Sequence, residues 1–302
     1  MINYSRILFI ALVFLVGIIT GCTDKPENDK LENWYLGYRM VSSLQAGDLP
    51  TAQARYDSLW QDGKFVGRGP MVVQFALLMH LSTGDTTEAL RALDQFPNDV
   101  ANRICRTGML GSAVVCDTNS EPGAVTLPDW QRRFLRHHIY DQGVRGHLNR
   151  GVASELGVDT TNWQDWRNLN IDSMGRALLR DFVPLHGFPT VAQIGKDGMD
   201  AVFLIIQHAD QDPAWQAAQL PAMGTAFERG DIGGNDLAML TDRVRINAGQ
   251  PQLYGTQVVP SNDGTGAVGL LSVADSLNLD RRRMEMGMVP INHYLRNFST
   301  SD

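Results

Sequence analysis

The sequence predicts a mainly α-helical protein: helical hairpins come first, followed by a helical domain that carries one small antiparallel β-hairpin. Three observations predict it. A helix, a Gly-Asp turn and a second helix occur in succession twice between residues 34 and 96. From Pro128 onward, apolar residues recur at helical spacing between cap and stop signals. Two short β-like runs, residues 252–259 and 268–273, flank the turn-rich Pro260-Ser261-Asn262-Asp263-Gly264. A parallel α/β sheet would need many alternating strands and helices, and few are visible.

Residues 1–22 read as a lipoprotein signal peptide. One basic residue, Arg6, precedes an apolar run over residues 7–19, and the segment closes on Ile19-Thr20-Gly21-Cys22. The run is short for a membrane span. Small residues before a cysteine suit a lipoprotein signal peptidase, so Cys22 is the expected lipidation site and acyl chains the expected membrane anchor. Thr23 rather than Asp follows Cys22, which resembles lipoproteins sorted to the outer membrane, facing the periplasm. Residues 23–30 are polar, hold Pro26 and read as a flexible tether.

Residues 31–125 form the helical-hairpin region. The first pair is residues 34–46 and 51–60 around Gly47-Asp48, and the second is 72–81 and 87–96 around Gly84-Asp85. Gly closes one helix and Asp opens the next. The units resemble tetratricopeptide-like hairpins, although a solenoid needs more repeats than two. A third pair over residues 99–116 is weakened by Gly108 and Gly111. Cys105 and Cys116 are an even pair once Cys22 is set aside, and an exported chain meets an oxidising compartment, so a disulfide is expected. Its loop is short, worth about 2 to 3 kcal/mol.

Residues 119–128, rich in Pro, Gly, Ser and Asn, separate the halves, and a second domain spans 126–302. Its first helix, opened by Pro128-Asp129-Trp130, places Asp141 and Arg145 at i and i+4, the spacing of an intrahelical ion pair. His137-His138 reads as a surface pair, and no third metal ligand lies nearby in sequence. His186, before Gly187-Phe188-Pro189, is a loop histidine open to solvent or an acid-base candidate. A helix capped by Asp197 puts Ala201, Leu204, Ile205 and His208 on one face. His208 then sits at a helix C-terminus, where the dipole favours an imidazolium. Asp212-Pro213 restarts the chain as N-cap and first helical residue, whereas Asp210 has no such duty. Leu237, Leu240, Thr241 and Val244 trace the next helix; Asp242 and Arg243 point different ways from it, and Asp242 can pair with Arg245. On the first β run Gln252, Tyr254 and Thr256 share a face. The run Asp280-Arg281-Arg282-Arg283 reads as a solvated helix face, with a ligand-facing Arg283 as the alternative. The methionines at 284, 286 and 288 read as core rather than a copper site.

The segments Asp141-Gln142 with Arg145, Gly187-Phe188-Pro189, Gln207-His208-Ala209-Asp210, Asp242-Arg243-Val244 and Gln252-Leu253-Tyr254-Gly255-Thr256-Gln257 stand in this order along the second half. Together they resemble an uncharacterised bacterial domain family marked by D-Q-x-x-R, G-[WF]-P, Q-H-A-D, D-R-V and Q-x-Y-G-T-Q. The resemblance implies no reaction. It nominates Asp141, Gln142, Arg145, Gln207, Gln252, Tyr254, Thr256 and Gln257 as ligand-binding, with Arg145 offering its planar fork to an anion.

Those segments are expected to converge on one pocket around His208. As an enzyme, the pocket would use His208 as general acid or base, Asp210 or Asp242 to orient it, and Arg243 or Arg145 to hold an anionic group. As a binding module, its neutral hydrogen-bonding groups would recognise an envelope protein, peptide or glycan. As a structural network, it would lock helices to the hairpin. The sequence leaves the three open. It lacks a G-x-S-x-G elbow, an H-E-x-x-H helix and a P-loop, and names no cofactor. With 26 basic against 33 acidic residues, net charge −7, a nucleic-acid partner is disfavoured.

Overall fold

The computed structural model describes residues 27–61, 64–67, 72, 76, 79–80, 83, 87, 124–260, 268–296 and 298. The signal peptide with Cys22, the Cys105–Cys116 pair, the expected third helix pair and most of the second hairpin lie outside these residues. The described residues are mainly helical with small antiparallel β-ladders, the class that the periodicity predicted. The chain divides into two compact units, Met1–Glu121 with Leu253–Asp302, and Pro122–Gln252.

In the first unit α1 (Glu27–Gln45) and α2 (Leu49–Leu59) form an antiparallel hairpin. Gly47 takes the left-handed conformation at φ 75° and Asp48 accepts from the Thr51 amide at 3.1 Å, the turn chemistry read from Gly-Asp. Arg55 of α2 donates to the Arg39 carbonyl and the Ser43 hydroxyl of α1. A two-residue ladder not foreseen from sequence comes next, β1 (Trp60–Gln61) with β2 (Lys64–Phe65). β3 (Val258–Pro260) and β4 (Val268–Leu270) make the expected hairpin, with Val258 opposite Leu270 and Pro260 opposite Val268. The chain ends in α10 (Leu279–Glu285) and α11 (Ile291–Arg296).

This C-terminal segment packs on α1. The Tyr35 hydroxyl donates to Asp280 at 2.8 Å, and the other Asp280 oxygen takes the Ile291 amide at 2.8 Å. The basic run does not form a solvated face. Arg283 is wholly buried and donates to the carbonyls of Tyr254 and Val289, with its guanidinium 4.9 Å from the Tyr294 ring. Arg282 donates to the carbonyls of Leu253, Ala274 and Asp275. A planar fork carries enough donors to satisfy several backbone acceptors at once. Residues 252–257 are therefore not the extended strand that alternation suggested. Gly255 is at φ 68°, a Cβ there would lie 3.1 Å from Ile291 Cδ1, and guanidinium groups rather than strand partners take the Leu253 and Tyr254 carbonyls.

The second unit holds α3 (Pro128–Val144), α4 (Arg150–Glu155), a 3₁₀ turn (Trp163–Asn168), α5 (Ile171–His186), α6 (Val191–Gln207), α7 (Pro213–Ala218), α8 (Leu220–Glu228) and α9 (Gly234–Asn247). Its core joins Phe134 of α3, Leu179 and Phe182 of α5, Met199, Val202 and Ile206 of α6, Met223 of α8 and Leu240 of α9. Helix α6 begins earlier than the Asp197 cap suggested: Thr190 and Gln193 form a capping box, and Gly195 at φ 75° breaks the helix once. Asp197 then accepts from the Gly198 amide at 2.9 Å and opens the second part. Asp212 and Pro213 cap and start α7 as the sequence suggested, with Asp212 accepting from the Trp215 amide at 3.2 Å. Against the far end of α3 lies a smaller cluster of Ile139, Ala153, Val158 and Trp166. A Cβ on Gly143 would stand 2.8 Å from Trp166 Cζ3, so this indole needs a glycine beneath it.

Candidate functional site

Apolar spacing along α3 buries Phe134 and His137 and carries Asp141 onto the same inner face, where it is 2% exposed. Opposite it, α6 ends at Gln207 and His208 takes the C-cap position. The two ends meet: His208 Nδ1 lies 2.9 Å from Asp141 Oδ1. A carboxylate accepts, so the geometry assigns the ring proton to Nδ1. No described residue hydrogen-bonds to Nε2 of His208, and the side chain keeps 18% of its surface open.

Asp141 has three side-chain partners. Arg145, one turn on, reaches Oδ1 at 2.6 Å and the Gln142 amide reaches Oδ2 at 2.8 Å, in addition to His208. Burial pushes its pKa upward, but the His208 hydrogen bond and charge, Arg145 and Gln142 outweigh that push and hold the carboxyl below its ordinary 3.8. The i,i+4 pair foreseen for Asp141 and Arg145 is formed. Arg145 does not present an unoccupied fork, because its second nitrogen binds Asp172 of α5 at 2.8 Å.

His137-His138 is not a surface pair. His137 is buried, with Nε2 so close to α5 that a Cβ on Gly175 would stand 2.6 Å away; desolvation lowers its pKa to about 4 despite Asp141 and Asp172 nearby. Desolvation also lowers the pKa of His138, which feels Asp141, Asp200, Asp197 and His208. His186 ends α5 with its ring 4.9 Å from Phe182 and 5.9 Å from Trp130, in an aromatic cluster rather than a solvated loop.

The other candidates around His208 make a separate arrangement. Asp210 accepts from Arg243 at 2.8 Å and from Asn247 at 3.2 Å, both on α9. Gln216 of α7 takes Asn247 at 3.0 Å and donates to the Ile206 and Gln207 carbonyls at 3.0 and 3.1 Å. This network ties α7 and α9 to the open carbonyls at the end of α6. Asp210 therefore pairs with Arg243 where the sequence suggested that it orients His208, and Asp141 holds the imidazole instead. Asp242 is fully buried on α9. Gln207 is 2% exposed, and its side-chain nitrogen and oxygen find no hydrogen-bond partner among the described residues. Gln252 closes this unit and is buried.

Tyr254, Thr256 and Gln257 belong to the other unit. Thr256 is buried there; its carbonyl accepts from the Tyr294 hydroxyl at 3.0 Å and its own hydroxyl accepts from the Gln257 amide at 3.1 Å.

A cleft of about 340 Å³ is lined by Arg145, Trp166, Arg167, Asn168, Asp172 and Gln211, among others; neither His208 nor Asp141 lines it, and Arg145 links it to Asp141. Its volume falls within the range of small-ligand sites. Sequence reasoning missed Asp172, Asn168 and Gln211, which lie in turns and helix starts without periodic signal. Among the described residues, no three His, Cys, Asp or Glu side chains gather as a metal site. No helix of the described residues is long and apolar enough to cross a membrane.

No curated protein and no solved structure matches the chain. The profile described as a family of unknown function, DUF6624, matches residues 128–301, more than half of the chain, and includes every motif segment named above. The chain belongs to the DUF6624 family.

Proposed function

We propose that this chain is a lipid-anchored envelope protein, attached through Cys22 to the outer membrane and facing the periplasm. In this reading its Pro122–Gln252 unit performs general acid-base chemistry on an envelope peptide, protein or glycan. The lipobox ending at Cys22 supports the anchor. One observation carries the chemistry: a buried, ionised Asp141 accepts from Nδ1 of a partly open His208, which leaves Nε2 as the basic atom. In a hydrolysis, Nε2 takes a proton from water as the water oxygen attacks the scissile centre. The imidazolium then returns that proton to the leaving group. Asp141 holds the ring in the required tautomer, while Arg145 and Gln142 hold Asp141 ionised.

A second reading makes the cleft a non-catalytic binding or scaffold site, with the helical hairpins as a further docking surface. It is favoured by the full engagement of Arg145 between Asp141 and Asp172, the arrangement of a structural tie. Replacing His208 by Ala in the full chain separates them. Thermal unfolding is followed together with hydrolysis of 4-nitrophenyl acetate, phosphate and N-acetylglucosaminide. A folded variant that loses a hydrolysis shown by the parent supports the acid-base reading. A variant that cannot fold, or one that hydrolyses as the parent does, contradicts it.

A further inference from the structure

The cleft is lined by Arg145 and Asp172, and Arg145 is shared between Asp172 and the buried Asp141 behind it, which it touches at 2.8 and 2.6 Å. Arg145 uses one oxygen of Asp172, and the other makes no hydrogen bond or ion pair with a described residue. Asp172 is 21% exposed on the cleft, so this oxygen offers a partly desolvated acceptor to whatever enters.

The remaining polar lining is also uncommitted. Arg167 lines the same cleft; its guanidinium lies 6.0 Å from the Trp163 ring and makes no ion pair with a described residue. Asn168 and Gln211 make no side-chain hydrogen bonds with described residues, and each offers both a donor and an acceptor. The cleft therefore presents one half-engaged carboxylate, one open cationic group and two neutral carboxamides, over an apolar floor that includes Trp166 and Ile171. A polyhydroxylated neutral ligand would leave the Arg167 charge unanswered and Asp172 with only its Arg145 partner. An anion alone would meet Arg167 but be repelled by Asp172. A short ligand carrying both charges answers each, and its amide groups suit Asn168 and Gln211.

We propose that this cleft binds a short zwitterionic peptide, its ammonium on Asp172 and its carboxylate on Arg167, with Asn168 and Gln211 directing the amide between them. His208 does not line this cleft, so binding of the peptide is independent of the acid-base reading, and any turnover of it would rest on that reading. The bound peptide lies beside Arg145, the residue that joins Asp172 to Asp141 and so to His208.

The test is calorimetric or NMR titration of the full chain with L-alanyl-L-alanine, its N-acetylated form, its C-terminal amide and the disaccharide N,N′-diacetylchitobiose. The expected result is binding of the free dipeptide, with affinity falling about fivefold or more on N-acetylation, on amidation, in Asp172→Asn and in Arg167→Gln. Titration reads binding without turnover, so a failure of acid-base chemistry and a failure of ligand assignment read out separately. Should Asp172→Asn not fold, Arg167→Gln and the two blocked dipeptides decide the matter. No binding of the dipeptide at millimolar concentration, equal binding of the blocked forms, or preference for the disaccharide would overturn the proposal.

Discussion

Asp141 and His208 stand 67 residues apart in sequence and 2.9 Å apart in space, Oδ1 to Nδ1. The buried carboxylate depends on this imidazole, on Arg145 and on Gln142 for its charged form. Asp141→Ala removes the shared acceptor and leaves His208 and Arg145 without it, at a cost of about 3 kcal/mol. Its folded pKa is depressed, so its contribution is fully present above the unfolded value of 3.8 and is lost as pH falls through and below that value. Urea denaturation of parent and variant between pH 7 and 3 should show their stabilities drawing together at the acid end.

His137 should behave with the same sense for a different reason. It is buried neutral, and desolvation lowers its pKa from 6.5 to about 4, so the unfolded chain binds the proton more readily. Its share of stability is complete above pH 6.5 and declines as pH falls toward 4. Following its ring by NMR should show titration near that lower value. A midpoint at 6.5 would contradict the burial described for it.

Asp236 has the opposite sign. It accepts from the Gly233 amide at 3.1 Å to cap α9, yet burial raises its pKa from 3.8 to about 6 despite Lys196 nearby. The charged form is thus a cost at neutral pH, and stability rises as pH falls from about 6 toward 3.8. Asp236→Asn keeps an acceptor for the cap and removes the charge, so it should stabilise by about 1 to 2 kcal/mol at pH 7. Chemical denaturation should show that gain shrinking as pH falls from about 6 toward 3.8.

Gly143 and Arg283 test packing in the two units. Gly143→Ala forces a methyl to within 2.8 Å of Trp166, which lines the cleft, and should cost about 1 to 3 kcal/mol by overpacking. Arg283→Met keeps the volume but removes the guanidinium donors to the Tyr254 and Val289 carbonyls, at about 2 to 4 kcal/mol. Melting curves of the single variants give both numbers.

Local chemistry made much of the fold legible. Gly47-Asp48 and Asp212-Pro213 are turn and cap signals that act within a few residues, and both do in the structure what such residues do elsewhere. Helical spacing likewise found α3, α5, α6 and α9. The pairing at His208 was less legible because it is non-local: nothing within α6 or α9 marks Asp141 as its partner. A signal did exist, since Asp141 falls in helical register with Phe134 and His137, and a carboxylate on an apolar face needs a partner from another element. The alternation misled over residues 252–257 alone, because Gly255 left the extended region and two arginines took the carbonyls, whereas Val258 onward is a strand. Those arginines, Arg282 and Arg283, lie well along the chain, where their sequence looks like any charged helix surface.

The central claim is tested most directly by ¹⁵N NMR of the His208 imidazole in the full chain and in Asp141→Asn, with His208→Gln to assign the signals. At pH 8 the parent should show a protonated Nδ1 whose hydrogen exchanges slowly and an unprotonated Nε2, and Asp141→Asn should lose that preference while remaining folded. An Nε2-protonated ring in the parent, or an Asp141→Asn variant that keeps the parent's tautomer preference, would contradict it.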